Sequence, residues 1–332
     1  MTKPIDTTIR HRQLQVGDLS MHIAEAGEGP LVLFCHGFPE LWYSWRHQLP
    51  ALAAAGYHAV APDMRGYGQT DAPEPIEAYT ILHLVGDMIG IVDALGEKQA
   101  VIVGHDWGSV VAWTAAQLRP DRFRAVVGMS VPFFPRLPMK PTTMMKAMAG
   151  ERFFYILYFQ EPGRAEAELN PRVREMMRGM LFTASGSIDR KHLRRMMELP
   201  KTARFLDAMV QPEALPSWLE EKDLEAYVSE FERTGFRGGL NWYRNFDRNW
   251  ELLAPFGDLR IAVPALFVGG LRDGVVTGPE LEGEGPSVQA LGSFCDDLRG
   301  KVLLEGIGHW NQQEAPEQTN AALIDFLRRL DS

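Results

Sequence analysis

The sequence has little cysteine, no excess of basic charge and no long hydrophobic run. Only Cys35 and Cys295 occur among 332 residues, which excludes a scaffold stapled by disulfides. Cys35 lies in an apolar run and Cys295 in a polar, glycine-rich stretch, so two reduced thiols are expected, as in a reducing compartment. The 34 Lys and Arg are outnumbered by 43 Asp and Glu, a net charge of −9. That balance argues against a nucleic-acid partner, because phosphate binding needs clustered basic residues. The one basic cluster, Arg190-Lys191-His192-Leu193-Arg194-Arg195, reads as the exposed face of a short helix with Leu193, Met196 and Met197 turned inward. No stretch approaches the roughly 18 apolar residues of a membrane span, and Met1 to Arg10 carries no apolar core of a secretion signal. A cytoplasmic protein without a membrane span is expected. A chain of this length buries about three quarters of its unfolded surface, enough for one large domain or a core with an inserted subdomain.

What is there is an alternation of short apolar runs with helical periods. Gln13–Val16 and Leu19–Ala24 alternate around Gly17-Asp18 and predict a β-hairpin. Leu31–Cys35 is continuously apolar, the pattern of a strand buried on both faces. A helix is expected from about Trp42 to Ala55, a strand at His58–Ala61, and an amphipathic helix over Thr80–Leu95, where Leu84, Met88, Ile91 and Leu95 recur at helical spacing. Val101–Val103 leads into Gly104-His105-Asp106-Trp107-Gly108, and a helix follows as far as Arg119, before Pro120. Ala125–Met129 is another short strand. From Phe133 to about Pro255 strand signals fade and the periodicity is helical. Strands return at Ala265–Gly269 and Lys301–Leu304, and a last helix spans Pro316–Leu330. The fold class is therefore α/β, a mostly parallel sheet covered on both faces. Residues 1–132 and 256–332 form its core, and an all-helical insertion occupies 133–255. Gly278 to Gly292, rich in glycine and acid, reads as a surface loop.

The pivot is Gly104–Gly108. Two glycines let a strand turn sharply into a helix and let the two approach closely, and such a turn thrusts the residue between them out of the sheet. Here that residue is Asp106, a candidate nucleophile; a solvated carboxylate closing a strand has the same local pattern. The nucleophile reading requires an acid and a base downstream, each after a strand, where open α/β sheets gather their ligands. Asp273 follows Ala265–Gly269, although Asp-Gly is also a common turn pair, and His309 follows Lys301–Leu304. His22, His47, His58, His83 and His192 fall on strands or helices with no metal-ligand spacing, so no metal site is expected. His36-Gly37-Phe38-Pro39 ends the Leu31–Cys35 strand, where the backbone N–H of Phe38 serves as one oxyanion donor and that of Trp107 as the other. A cis Pro39 would aim Phe38 inward. Phe38, Trp42, Trp107 and Phe134 are the candidate walls of an apolar cleft.

With these motifs the chain resembles the α/β-hydrolase fold family and, within it, the soluble epoxide hydrolases, over Ile9 to Leu330. Haloalkane dehalogenases also carry an Asp nucleophile followed by Trp, but their pattern wants a halide-binding Asn in place of Phe38. The insertion supplies the discriminating segments. Tyr155-Ile156-Leu157-Tyr158-Phe159-Gln160-Glu161-Pro162-Gly163 and Asn241-Trp242-Tyr243-Arg244-Asn245 look like the cap segments that present ring-opening tyrosines, matched to Tyr155 and Tyr243, with Tyr158 packing in the cap. The resemblance implies an α/β-hydrolase core with a helical cap, of the single-domain bacterial and plant type. It implies hydrolysis of a lipophilic epoxide to a diol through an ester on Asp106, with His309 as general base, Asp273 as its orienting acid, water as co-substrate and no cofactor. The alternatives are haloalkane dehalogenation by the same Asp, or a ligand-binding module without turnover. A cap of this size offers a surface for a homodimer.

Overall fold

The computed structural model describes residues 6–189, 191–192, 198–278 and 282–330. Its centre is an eight-stranded sheet in the order β1-β2-β4-β3-β5-β6-β7-β8. The strands are β1 (Arg10–Val16), β2 (Leu19–Ala26), β3 (Leu31–Cys35), β4 (His58–Pro62), β5 (Ala100–His105), β6 (Phe123–Met129), β7 (Ala265–Gly270) and β8 (Leu298–Leu304). The hairpin forms as its alternation predicts, with Val16 opposite Leu19 across the Gly17-Asp18 turn. β1 and β2 pair antiparallel, as do β2 and β4, and every other pairing is parallel.

The continuous apolar runs are explained by burial on both sides. Leu31, Leu33 and Cys35 of β3 join one hydrophobic cluster, while Val32 and Phe34 join the other. That is the two-residue period of a strand. Helix α1 (Gln48–Ala54) and the terminal helix Pro316–Leu330 cover the second face through Leu49, Leu52, Leu323 and Phe326. Helices α2 (Ile81–Ala94) and α3 (Trp107–Leu118) cover the first, and its cluster continues into Phe159, Leu169, Met176 and Phe231, between β6 and β7. That intervening chain holds helices at Pro141–Ala149, Tyr155–Tyr158, Arg164–Leu169, Val173–Thr183, Glu221–Thr234, Arg237–Arg244 and Phe246–Leu252.

Two local expectations differ. The helix expected over Trp42–Ala55 is a 3₁₀ turn at Trp42–Trp45 followed by α1, with His47 at the N-cap. Pro50 explains the break, since a proline ring is tolerated only in the first turn of a helix. Within the expected surface loop 278–292, Pro286–Ala290 is a helical turn, because Pro286 starts it and Val288 and Leu291 are fully buried. Of the basic cluster, Arg190 and Leu193–Arg195 lie outside the described residues, as do Met196 and Met197. Among the described residues no helix is long and apolar enough to cross a membrane.

Candidate active site

β5 ends at His105, α3 starts at Trp107, and Asp106 joins them with φ 52° and ψ −121°. The unusual backbone therefore sits on the aspartate itself and not on a flanking glycine, a costly conformation for a residue with a Cβ. The glycines provide room. A Cβ on Gly104 would stand 2.0 Å from the Gly108 carbonyl oxygen, and one on Gly108 would stand 2.0 Å from that of Cys35. Strand, helix and the neighbouring strand end can approach only with hydrogens at these positions.

The Asp106 carboxylate is gripped on one side and faced on the other. The Phe38 N–H donates to Oδ1 at 2.8 Å, next to the cis Phe38–Pro39 peptide. Oδ2 stands 3.5 Å from Nε2 of His309. Burial opposes the charge of Asp106, but His309, His105 and the Phe38 N–H hold its carboxyl below the usual carboxylate range.

His309 lies on the loop after β8, and its Nδ1 meets Oδ2 of Asp273 at 2.8 Å. Asp273 caps the turn after β7, its Oδ1 accepting from the Val275 N–H at 2.9 Å, so both of its oxygens are engaged. Burial works against a charge on His309. The carboxylates of Asp273 and Asp106 outweigh it and raise the imidazole well above its ordinary value.

Tyr155 lines the same cavity as Asp106, Tyr243 packs against Trp107 next to it, and the two tyrosines lie on segments stitched to each other. Gln160 Nε2 donates to the Ile156 and Tyr243 carbonyls, both at 2.9 Å. Arg244 Nε donates to the Phe159 carbonyl at 3.1 Å. The two rings meet edge-on with centroids 6.0 Å apart. Burial, then the nearby Asp106 charge, raises both phenols above their ordinary range. Neither hydroxyl donates to a protein acceptor among the described residues. Tyr158 differs: its hydroxyl donates to Glu168 at 2.6 Å.

Asp106, His309, Asp273 and Tyr155 line a cavity of about 470 Å³, with Phe153, Phe205 and Met180 in its apolar wall; Tyr243 is not among the lining residues. Of the aromatic wall expected from sequence, Phe38 is buried edge-on beneath Tyr243 at 5.4 Å, and Trp107 packs edge-on against the same ring at 5.2 Å. Trp42 and Phe134 are elsewhere. Trp42 leaves β3 toward the hairpin and packs on His11 at 4.7 Å. Phe134 is 50 % exposed beside a second hollow of about 190 Å³, which it shares with Trp107 and Trp250. An aromatic residue in a sequence carries no sign of the direction its ring takes.

Sequence reasoning missed the layer beneath. Glu40 and His105 are fully buried, with His105 Nδ1 2.5 Å from Glu40 Oε1 and Nε2 2.8 Å from the His309 carbonyl oxygen. Both ring nitrogens face oxygen acceptors, so a proton lies in the contact with Glu40. Glu40 also accepts from the Gly37 N–H at 3.0 Å and from Gln312 Nε2 at 2.9 Å, tying the Phe38 loop to the His309 loop. Glu314 grips that second loop from its other side, its carboxylate accepting the N–H groups of Gly308 at 3.1 Å, Trp310 at 3.1 Å and Gly186 at 2.8 Å. The one available signal was a lone acidic residue, Glu40, inside an otherwise apolar motif.

Comparison with known proteins gives the family. The alpha/beta hydrolase fold family matches over residues 30–280. Epoxide hydrolase A of Mycobacterium tuberculosis is 47 % identical over 322 residues, covering 96 % of this chain and 98 % of that protein. Epoxide hydrolase 1 of Siraitia grosvenorii is 42 % identical, covering 97 % and 99 %. The crystal structure of epoxide hydrolase A from Mycobacterium thermoresistibile superposes with a TM-score of 0.90 at 48 % identity, covering 97 % of this chain and 98 % of that one. The chain belongs to the α/β-hydrolase fold family and, within it, to the epoxide hydrolases.

Proposed function

We propose that this epoxide hydrolase converts a lipophilic epoxide to a vicinal diol through an alkyl ester on Asp106, beneath a lid formed by residues 133–255. The observation that carries the reading is a carboxylate on a sharp turn with two neighbouring buried phenols whose hydroxyls donate to no protein acceptor among the described residues. An ionised carboxylate needs no base in order to attack. What the reaction needs is an acid for the ring oxygen, which departs carbon as an alkoxide, and a phenol meets that need.

Oδ1 is held by the Phe38 N–H, which leaves Oδ2 to attack the ring carbon while Tyr155 and Tyr243 bind and protonate the oxygen. The ester carbonyl is then Oδ1. Esterification removes one of the two carboxylates that raise the His309 imidazole, which favours the neutral imidazole that the next step needs. His309, oriented by Asp273, next deprotonates a water that attacks the carboxyl carbon of Asp106. The Phe38 and Trp107 N–H groups stabilise the oxyanion, worth roughly 3 kcal/mol per donor. The diol leaves with Oδ2, which takes from His309 the proton that His309 took from water; the second water proton restores the phenol, and the water oxygen remains in the carboxylate. No cofactor takes part. Two buried free thiols, Cys35 and Cys295, fit a reducing cytoplasm.

A single turnover in heavy-oxygen water tests the route. The first diol should carry ordinary oxygen, and label in it refutes the ester. Halide release from haloalkanes, with no diol from styrene oxide, would assign the same Asp106 to dehalogenation. An Asp106→Ala protein with its biological activity intact would mean a binding module.

A further inference from the structure

The backbone of His309 is held from two directions. Its carbonyl accepts from the core, from His105 Nε2 at 2.8 Å and from Ser130 Oγ at 2.7 Å. Its N–H donates to the Ala184 carbonyl at 2.8 Å, and Ala184 ends the helix Val173–Thr183 of the proposed lid. Trp310 repeats the arrangement one residue on. Its Nε1 donates to the Leu181 carbonyl, in the last turn of the same helix, at 2.9 Å, and its ring packs edge-on against His309 with centroids 4.9 Å apart. The last four carbonyls of a helix have no partner inside it. Here two of them, those of Leu181 and Ala184, are satisfied by the loop that carries the base.

The turn that follows is pressed against the same loop. A Cβ on Gly186 would stand 2.1 Å from the Gly306 carbonyl oxygen, and one on Gly308 would stand 2.3 Å from the Gly186 nitrogen. Two residues further, the Ile188 carbonyl accepts from Nη2 of Arg272 at 2.6 Å, and the Arg272 N–H donates to the Ile307 carbonyl at 2.8 Å. The loops of the orienting acid and of the base are therefore fastened to one stretch, 184–188. A cover over a cavity need only fill space, whereas directional bonds fix position. Position matters here, because Nε2 of His309 stands 3.5 Å from Oδ2 of Asp106 and must meet a water beside it. Trp310 is fully buried and lines neither cavity, so it reaches the chemistry only through its neighbour.

We infer that Trp310 is a positioning residue for ester hydrolysis: with the turn 184–188 it makes one end of the lid the mount of His309, so that loosening this end disables the base and leaves the nucleophile and the phenols at work. The inference rests on the ester route proposed for Asp106 and assigns to the lid a part in the second half-reaction, beyond its two tyrosines.

The test separates the half-reactions of styrene oxide in the whole chain and in its Trp310→Phe and Ser185→Ala variants. Trp310→Phe keeps a ring beside His309 and removes the N–H that the Leu181 carbonyl receives. Ser185→Ala loosens the turn from the lid side, since Ser185 Oγ donates to the Phe182 carbonyl at 2.8 Å and accepts from the Ser187 N–H at 3.2 Å. On a route through an ester, kcat/KM contains only the steps up to ester formation, whereas slow hydrolysis sets kcat. Trp310→Phe should slow ester hydrolysis about ten- to a hundredfold, the weight of a base misplaced by about an ångström. Then kcat and KM fall together, kcat/KM stays within about twofold, and the ester on Asp106 accumulates in mass spectra of quenched turnovers. Ser185→Ala should act in the same direction by a smaller factor. For Trp310→Phe, a fall in kcat/KM in step with kcat, or no change in either, overturns the inference while the ester route stands. Should that variant not fold, Ser185→Ala decides by the same two outcomes. If wild type yields neither ester nor diol, the proposed reaction itself fails.

Discussion

Replacing Tyr155 and Tyr243 by Phe removes two hydroxyls and nothing else. Tyr243 keeps its ring contacts with Phe159 at 5.1 Å, Trp107 at 5.2 Å and Phe38 at 5.4 Å, and Tyr155 keeps its contact with Phe159 at 5.7 Å. Lost packing therefore contributes little to the effect. Each phenol that hydrogen-bonds a developing alkoxide in a water-poor site is worth about 1.5–3 kcal/mol, or roughly 10- to 150-fold in the rate of ester formation. Either single variant should slow alkylation by that factor. The two phenols serve one oxygen, so their losses couple, and the double variant should lie at or below about 10⁻³ of wild type. Trp107 adjoins Asp106 and touches the Tyr243 ring, so stopped-flow tryptophan fluorescence reads the alkylation step directly. Hydrolysis of ester already formed should change far less, because His309 and Asp273 are untouched. A double variant that alkylates within about tenfold of wild type would refute this division of labour.

Asp273→Asn should lower the pKa of His309, because one of the two carboxylates that raise it is gone. A pKa raised on folding contributes stability that is fully present below the unfolded value of about 6.5 and is lost as pH rises through the raised folded value. The variant should lose part of that low-pH stability, and the acid limb of ester hydrolysis should move to lower pH; imidazole NMR and single-turnover profiles read the two, and unchanged titration refutes the assignment. Glu314→Ala strips an acceptor from the N–H groups of Gly186, Gly308 and Trp310, a loss of about 1–3 kcal/mol in calorimetry. It should slow ester hydrolysis more than ester formation, since the loop it holds carries His309. Gly108→Ala drives a methyl group to within 2.0 Å of the Cys35 carbonyl and should cost at least about 1–3 kcal/mol in denaturant unfolding; an unaffected midpoint would mean that the turn can open.

The strands were legible because burial on both faces demands unbroken apolar runs, and Leu31–Cys35 and Ala265–Gly270 supply them. Asp106, Asp273 and His309 were legible because each follows a strand, and a parallel sheet delivers its strand ends to one edge. Tyr155 and Tyr243 were visible only through likeness to a family, since nothing in helical periodicity separates a phenol that faces a cavity from one, such as Tyr158, that bonds to Glu168. The Glu40–His105 pair was hidden because its members lie 65 positions apart and meet only after β3 and β5 have paired. Trp42 and Phe134 went astray because hydrophobicity records that a ring is buried or half-buried, not against which neighbour.

The chain leaves the sheet at Met129, the end of β6, and rejoins it at Ala265, the start of β7, and those two strands are hydrogen-bonded neighbours. Everything between them departs from and returns to a single seam. The entropy of closing such a loop grows only logarithmically with its length, so residues can be gained, lost or exchanged there without shifting the register of any strand. Asp106 stands on one side of the seam, Asp273 and His309 on the other. The covering of the cavity can be rewritten at this one address while Asp106, Asp273 and His309 keep their places.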